Sequence, residues 1–533
     1  MAGDAAWWRN AVVYQIYVRS FADGNGDGTG DIAGMRARLA YLADLGVDAV
    51  WVNPWYRSPL LDGGYDVADY RQIHEQFGTT SEAVEFIAEA RQHGIRVLVD
   101  LVPNHTSWEH EWFRAALAAP PGSVERARYH FLPGRGDDGA LPPNDWQSVF
   151  GGPAWTRVAD GEWYLHLFDE SQPDVNWDHP DVVEEFEAVM RFWLDRGAAG
   201  FRIDVAHALV KEPGYPDAGV AINDGQAPVE PVPYFDRDGI HEIVRRWRQL
   251  LDEYGDRMMV AEAWVPADRR PLYLRPDEYH QAFDFDLLSA PWDAAEFARI
   301  IQHSIVSAGA VGSDPTWVLS NHDVVRHATR YGLPNDVTPA RWLLDGPHDL
   351  LDVERGALRA RAAALLTLAL PGSAYVYQGD ELGLPEAWEL PTEVLQDPIW
   401  HDSGHTMKGR DGCRVPIPWD TSAPSLGFGS APGWLPQPAS FATLAASVQQ
   451  DDPDSTLTLY RTAIRLRRDY LVGSSPVELV DVDGDVLTVR RGDVRCVVNM
   501  GDVDVDRPAG SILLSSSPVD GLRLPPDTAV WIS

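Results

Sequence analysis

The sequence predicts an α/β protein built on a TIM (β/α)8 barrel, with a subdomain inserted after the third strand and a C-terminal antiparallel β-sandwich domain. Three observations predict it. Short apolar runs alternate with longer amphipathic stretches for most of the 533 residues, two long segments interrupt the alternation, and near residue 471 it gives way to short β segments with frequent turns. Strands this apolar, separated by helices, imply parallel strands covered on the outside, and eight such units close into a barrel.

The first strand is read in VVYQIYVRSF at 12–21, followed by a helix over 31–45; VDAVWVNP at 47–54 is the second, with its helix near 81–93. RVLVDLV at 96–102 is the third. Residues 106–174, rich in Pro, Gly and Trp and without a clear βα unit, form the insertion. A helix near 180–196 leads back to GFRIDVA at 200–206, then come a helix near 240–254, MMVAEAW at 258–264, a weaker strand near 281–287 and a helix near 293–308. TWVLSNHD at 316–323, a helix at 355–369, AYVYQG at 374–379 and a helix at 455–469 complete the eight pairs. The Pro- and Trp-rich connection at 384–453 is too long for an ordinary barrel loop, which marks it as functional. The boundaries that follow are 1–105 and 175–470 for the barrel, 106–174 for the insertion and 471–533 for the terminal domain.

Composition narrows the function. Hydrophobic residues at 45% and charged residues at 23% are those of a globular chain. Acidic residues outnumber basic ones by 80 to 44, a net charge of -36 that repels phosphate backbones and anionic membranes, so nucleic acid and lipid surfaces are excluded as partners. Lys211 and Lys408 are the only lysines. Cys413 and Cys496 lie far apart, without the spacing of a disulfide framework or zinc site. The first twenty residues lack a basic start followed by an apolar core, and no later apolar run reaches the roughly twenty residues a span requires. A cytoplasmic protein is expected. The 21 Trp and 18 Tyr offer flat faces on which sugar rings stack.

A barrel carries its chemistry at the C-terminal ends of its strands. Asp100 ends the third strand, with Asn104 and His105 just beyond; Arg202 and Asp204 end the fourth, Glu262 the fifth, and His322 and Asp323 the seventh. Helix caps explain one such acid, not four at matching ends of one barrel. Glycoside hydrolysis wants two carboxylates in different protonation states, one to attack the anomeric carbon and one to protonate the leaving oxygen. Arg202, two residues before Asp204, shares its face of the strand and is expected to keep Asp204 ionised, whereas Glu262, in an apolar run beside Trp264, is expected to hold a proton. Asp204 is therefore read as the nucleophile and Glu262 as the acid/base.

DLVPNH (100–105), GFRIDVAHAL (200–209), VAEAW (260–264) and LSNHD (319–323) resemble the four ordered motifs of the α-amylase family, glycoside hydrolase family 13, over nearly the whole chain. QPDVNW (172–177) and GGYDVADY (63–70) resemble its oligo-1,6-glucosidase and α-glucosidase branch. The resemblance implies a retaining mechanism through a β-glucosyl-enzyme on Asp204, with Glu262 as acid/base and Asp323 holding sugar hydroxyls. It further implies that Asp62 and Arg410 close the non-reducing end of the pocket, with Arg414 a second candidate for the arginine. Tyr65 would be a stacking platform, His105, Gln172 and His322 hydroxyl-binding groups, and Phe150 and Phe168 walls.

The run DGNGDGTGD at 23–31 spaces oxygen donors like a calcium loop, but Gly34 stands where an EF-hand needs its bidentate Glu. The family branch implies a structural calcium or magnesium ion here, held by Asp23, Asn25, Asp27, Asp31 and the Thr29 carbonyl. His207 and Ala208 stand where long-chain amylases carry a Lys-His pair, which favours exo action on short oligosaccharides such as maltose. Val205 resembles 1,6-preferring members, but so small a difference in a pocket moves discrimination by only about 1–3 kcal/mol, and α-1,4 cleavage is favoured with α-1,6 left open. The alternatives are a transglycosylase or isomerase acting on maltose or sucrose, distinguished by residues 324–332, 212–238 and 384–453, and remotely a non-catalytic family relative.

Overall fold

A computed structural model describes residues 6–220, 232–472 and 477–533. Eight parallel strands close into a barrel: β1 (Val12–Ile16), β2 (Ala49–Val52), β3 (Arg96–Leu101), β4 (Gly200–Ile203), β5 (Met258–Ala261), β6 (Gln281–Asp284), β7 (Thr316–Val318) and β8 (Ser373–Tyr377). Each pairs with its neighbours in sequence, and β1 closes on β8 at Val12↔Ala374.

The two-residue period of the strands builds two cores. Val13, Trp51, Leu98, Val260, Phe283, Val318 and Tyr375 fill the barrel interior, while Val12, Tyr14, Val50, Val97 and Phe201 face outward under the helices. Local signals set the helix ends, as in the capping box of Thr79 and Glu82 that starts Thr80–Gln92.

Several boundaries differ from the sequence reading. The run at 12–21 is not one strand: β1 stops at Ile16, the Tyr17 amide donates to the Gln378 side chain at 2.8 Å, and the chain turns into the helix Val18–Phe21. The helix expected over 31–45 is two, Ile32–Ala37 and Leu39–Leu45, broken at Arg38, whose guanidinium lies over the Trp419 ring. β4, β5 and β7 end before the residues assigned to them, so Asp204, Glu262, His322 and Asp323 stand just beyond strand ends, where the backbone is free to bend toward the mouth.

Within 106–174 lie the helix Glu111–Ala118 and a three-stranded antiparallel sheet, Phe131–Pro133, Glu162–Leu165 and Trp155–Arg157, with Glu162–Leu165 central. A bridge between His105 and Asp174 brings the two ends of this excursion side by side. At the C-terminus, β9 (Val477–Asp483), β10 (Val486–Arg491), β11 (Val494–Asn499), β12 (Ile512–Ser515) and β13 (Thr528–Ile532) form one antiparallel sheet in the order β9-β10-β11-β13-β12. One face buries Val489, Val498 and Trp531 with the main core, the Trp531 indole donating to the Leu365 carbonyl at 3.0 Å. Among the described residues the other face is covered by a small ribbon, Val505–Asp506 paired with Arg523–Leu524, together with Val519, so the expected second sheet is no wider than that ribbon.

Asp527 ties this sheet to the barrel helices: its carboxylate accepts from Arg355, Arg359 and the Trp292 indole at 2.8, 2.8 and 2.9 Å. Asp527→Ala is expected to lower unfolding free energy by about 2 kcal/mol, reduced from a fully buried pair by the exposure of Arg355. Guanidinium denaturation measures it, and an unmoved midpoint would refute the tie.

Candidate active site

β3, β4 and β5 are neighbours in register, Asp100 beside Arg202 and Ile203 beside Ala261. Asp204 and Glu262 are thus the next matched pair, each one residue past its strand, on strands spaced about 4.8 Å apart. The Arg202 guanidinium binds three carboxylates: Nη1 reaches Asp100 Oδ1 at 3.0 Å and Asp204 Oδ1 at 2.5 Å, and Nη2 reaches Glu262 Oε2 at 2.9 Å. Trp51 and Tyr65 donate to Asp100 at 2.9 and 3.0 Å. Glu262 accepts from the Val205 amide at 2.8 Å and from the Trp264 indole at 3.0 Å. To aim that amide, Val205 adopts φ +45°, a left-handed conformation that costs a β-branched residue about 1–3 kcal/mol.

Arg202 does pair with Asp204 as expected, but its pull toward ionisation is outweighed in this geometry. Asp204 is itself buried, and burial lifts its pKa well above the ordinary carboxylate value against the pull of Arg202, with Glu262 and Asp100 adding to the rise. Burial likewise raises Asp100 to about 6. One cation serves three acids, so the cluster favours retaining a proton.

Across the cavity the balance reverses. Asp323 accepts from Arg410 Nη1 at 3.1 Å and Arg414 Nη2 at 3.0 Å, with His322 Nε2 at 3.4 Å. Burial opposes its ionisation, yet the charges of His322, Arg410 and Arg414 hold it well below the usual range. Because burial keeps His322 itself neutral, the arginines supply that charge. Arg410 also binds Asp62 at 2.6 Å and Asp397 at 2.8 Å, and lies over the Phe150 ring at 4.9 Å. The two arginines separate: Arg410 lines the cavity, and Arg414 lies buried behind Asp323 with its Nε on the His322 carbonyl at 2.8 Å.

The cavity holds about 570 Å³, the scale of a small-molecule site, and Asp62, Tyr65, His105, Phe150, Phe168, Asp204, Glu262, His322, Asp323 and Arg410 line it together. Tyr65 stacks on His322 at 5.2 Å and 10°, which leaves its ring as part of the wall. Asp100, Arg202 and Gln172 do not reach the surface of the cavity. Gln172 is corrected from a hydroxyl-binding group to a support for Asp62, to which it donates at 3.0 Å. Sequence reading missed Asp397, because an Asp before Pro reads as a helix cap; it does cap Pro398–Asp402 while holding Arg410. It also missed the outer wall of Phe235, Leu288, Val324, Val325 and Leu343 and the polar Arg330, Glu386 and Lys408, contributed by connections without a motif. Of the loop at 212–238, residues 221–231 lie outside the described residues.

The glycine-rich loop stands apart from the cavity lining. Asp23 accepts from the amides of Gly26 and Gly28, Asn25 from Asp27, Asp27 from Thr29, and Asp31 from Gly24, Asn25 and Gly34. The all-oxygen donor set suits a hard cation, and Asp23 and Asp31 are buried together, with burial and then the charge of Asp23 raising Asp31. Among the described residues no three His, Cys, Asp or Glu side chains converge as a metal cluster, so the Asn25 and Thr29 oxygens would have to complete the set.

Comparison with known proteins places these features in context. The family model described as "Alpha amylase, catalytic domain" matches residues 15–473, and a domain of unknown function matches 479–531. The chain is 37% identical to a probable alpha-glucosidase of Rhizobium meliloti, over 94% of this chain and 90% of the relative. It is 33% identical to an oligo-1,6-glucosidase of Parageobacillus thermoglucosidasius, over 88% and 84%. Among solved structures it resembles an alpha-glucosyl transfer enzyme (34% identity, TM-score 0.84, 99% of this chain and 100% of that one). It also resembles the trehalulose synthase of Pseudomonas mesoacidophila (30%, 0.85, 99% of both). No helix among the described residues is long and apolar enough to cross a membrane.

His207 lines the cavity beside Glu262, and burial lowers its pKa from 6.5 to about 4. The unfolded chain binds a proton there near pH 6.5 and the folded chain only near 4, so this histidine costs stability as pH falls through that window. Wild type is therefore expected to lose ground to His207→Gln by about 1.4 kcal/mol per pH unit between those values. Denaturation of both proteins at several pH values measures this, and a pH-independent difference would contradict it.

Proposed function

The chain belongs to the α-amylase family of glycoside hydrolases, and from that premise we propose that its pocket is the active site of a retaining, exo-acting α-glucosidase that removes terminal glucose from short oligosaccharides such as maltose. The observation that carries this reading is the in-register pair Asp204 and Glu262 on adjacent strands, held by one guanidinium. Neighbouring strands are about 4.8 Å apart and one guanidinium spans both acids, which keeps the two carboxyl groups close together, as the roughly 5–5.5 Å separation of retaining glycosidases requires.

Asp204 attacks the anomeric carbon as Glu262 gives its proton to the leaving oxygen, forming a β-glucosyl-enzyme. Glu262, now a carboxylate, takes a proton from water, which displaces Asp204 and releases α-glucose. The buried cluster supplies a proton for such a reaction, because one arginine serves three acids, and the Arg202 contact at 2.5 Å opposes its residing on Asp204. Asp323, held ionised by Arg410 and Arg414, binds sugar hydroxyls and stabilises the positive charge that grows on the ring. The Arg410–Asp62 pair lines the pocket, and as the group that closes its non-reducing end it supports exo action. We favour α-1,4 over α-1,6 bonds.

A second reading is transfer to a sugar acceptor. The apolar outer wall of Phe235, Trp264, Leu288, Val324 and Val325 supports it, since such a wall holds a second ring more readily than it holds water. Calcium, held by Asp23, Asn25, Asp27, Asp31 and the Thr29 carbonyl, is proposed as a structural ion that neutralises buried acids and stiffens the loop; no catalytic step passes through it.

Asp204→Asn and Glu262→Gln are each expected to cut hydrolysis by about 10³-fold or more with folding intact. Proton NMR time courses on maltose, isomaltose and sucrose test the reading in wild type: α-glucose appearing first from maltose is the expected result. New disaccharides without free glucose would favour transfer, and near-full activity in either variant would overturn its assigned role. Excess chelator is expected to lower the melting temperature more than the activity per folded molecule. An unchanged melt with no metal by elemental analysis would remove the ion.

A further inference from the structure

Lys211 is fully buried, and its ammonium contacts three parts of the chain that meet behind the pocket. It donates to the Asn104 side-chain oxygen at 2.9 Å and to the Ala208 carbonyl, and pairs with Asp174 at 2.8 Å. Asn104 follows β3, Ala208 follows β4 and carries Val205 and His207 on the same turn, and Asp174 ends the inserted segment. The other Asp174 oxygen accepts from the Leu167 amide at 2.9 Å, next to the Phe168 wall.

An ammonium has donors only. Asn104 must therefore turn its oxygen to Lys211, which leaves its NH2 group facing Asp174, 3.0 Å away, and His105 Nδ1, 3.3 Å away. Both ring nitrogens face an amide NH2, Asn104 at Nδ1 and Gln172 at Nε2, the latter 3.2 Å away, but only Nε2 also faces an acceptor, the Tyr65 carbonyl at 3.2 Å, so the His105 proton belongs on Nε2. Burial lowers the pKa of His105, so the ring is neutral and the choice of tautomer is real. We propose that Lys211 is a positioning residue: through Asn104 it fixes which nitrogen of His105 carries the proton at the pocket wall.

The role in substrate binding rests on the α-glucosidase reading; the tautomer does not. With Lys211 replaced by an apolar side chain, the Asn104 amide is free to rotate by half a turn and offer oxygen to His105, and the second tautomer becomes accessible. Asp174 would then be a buried charge without its partner, which by itself threatens folding. Pairing Lys211→Met with Asp174→Asn removes both charges and separates positioning from charge balance.

The direct test is nitrogen NMR on protein labelled only at histidine, with the His105 signals assigned by their loss in His105→Gln. Wild type is expected to show an unprotonated Nδ1 and a protonated Nε2; the reverse overturns the proposal outright, whether or not any sugar is cleaved. The double variant Lys211→Met/Asp174→Asn is expected to melt near wild type, to show both tautomers, and to raise the KM for maltose about tenfold with kcat little changed, the worth of one hydrogen bond to substrate. A double variant with a single Nε2-protonated His105 and unchanged KM would show that Lys211 only balances charge. If maltose is not a substrate, the NMR comparison of the two proteins still decides the matter.

Discussion

One guanidinium among three carboxylates is the constraint on which the rest of this structure depends. Arg202 and its acids Asp100, Asp204 and Glu262 come from three consecutive strands, and all are buried. Leaving any of these charges unpaired inside the protein is strongly destabilising. A slip of one residue in either strand pairing would turn an acid away from the cation and an apolar side chain into the mouth. The barrel register and the site therefore specify each other: the closed sheet supplies the spacing, and the ion cluster penalises every other alignment.

The pocket holds its carboxylates in two electrostatic regimes. On the β3 to β5 side acids outnumber the single arginine, and burial lifts Asp100 and Asp204. On the β7 side Arg410 and Arg414 surround Asp323 and depress it. A sugar ring between them meets a group able to carry a proton on one side and a fixed negative charge on the other, which an oxocarbenium-like transition state requires. The fixed charge is itself supported from a distance in sequence: Asp397 clamps the Arg410 that reaches Asp62 and Asp323, so the long connection after β8 finishes the site.

What was legible in the sequence follows from this division. The barrel could be read because eight apolar strands repeat one physical pattern, and the acids could be read because they stand at matching strand ends. Exact strand limits were less legible: β1 stops at Ile16 because the Gln378 side chain replaces a ladder partner, a contact across more than 360 residues that no local pattern announces. The burial that raises the Asp204 pKa was hidden for a related reason. Sequence shows the adjacent Arg202 but not that Asp100 and Glu262 compete for it. Asp397 was hidden by a second job as a helix cap, and the outer wall by the absence of any motif in the segments that build it.

That outer wall carries the remaining chemical choice. The acid pair can form and break a glucosyl-enzyme whatever arrives second, so the partition between water and sugar belongs to the groups beyond Glu262. Trp264 is stacked on Phe285 at 3.9 Å, which stiffens its face toward the cavity, and Phe235 is packed against His207 at 4.7 Å. Leu288, Val324, Val325 and Leu343 complete an apolar rim, while Glu386, Arg330 and Lys408 supply polar edges. These residues come from connections after β4, β5, β6, β7 and β8, and of them only Trp264 touches the ion cluster, through its indole on Glu262. Substitution of the apolar rim residues Phe235, Leu288, Val324, Val325 and Leu343 leaves the Arg202 cluster intact, so a barrel of this kind changes acceptor and linkage by altering its rim while its acids stay fixed. The constraint that makes the inner half rigid is what leaves the outer half free to vary.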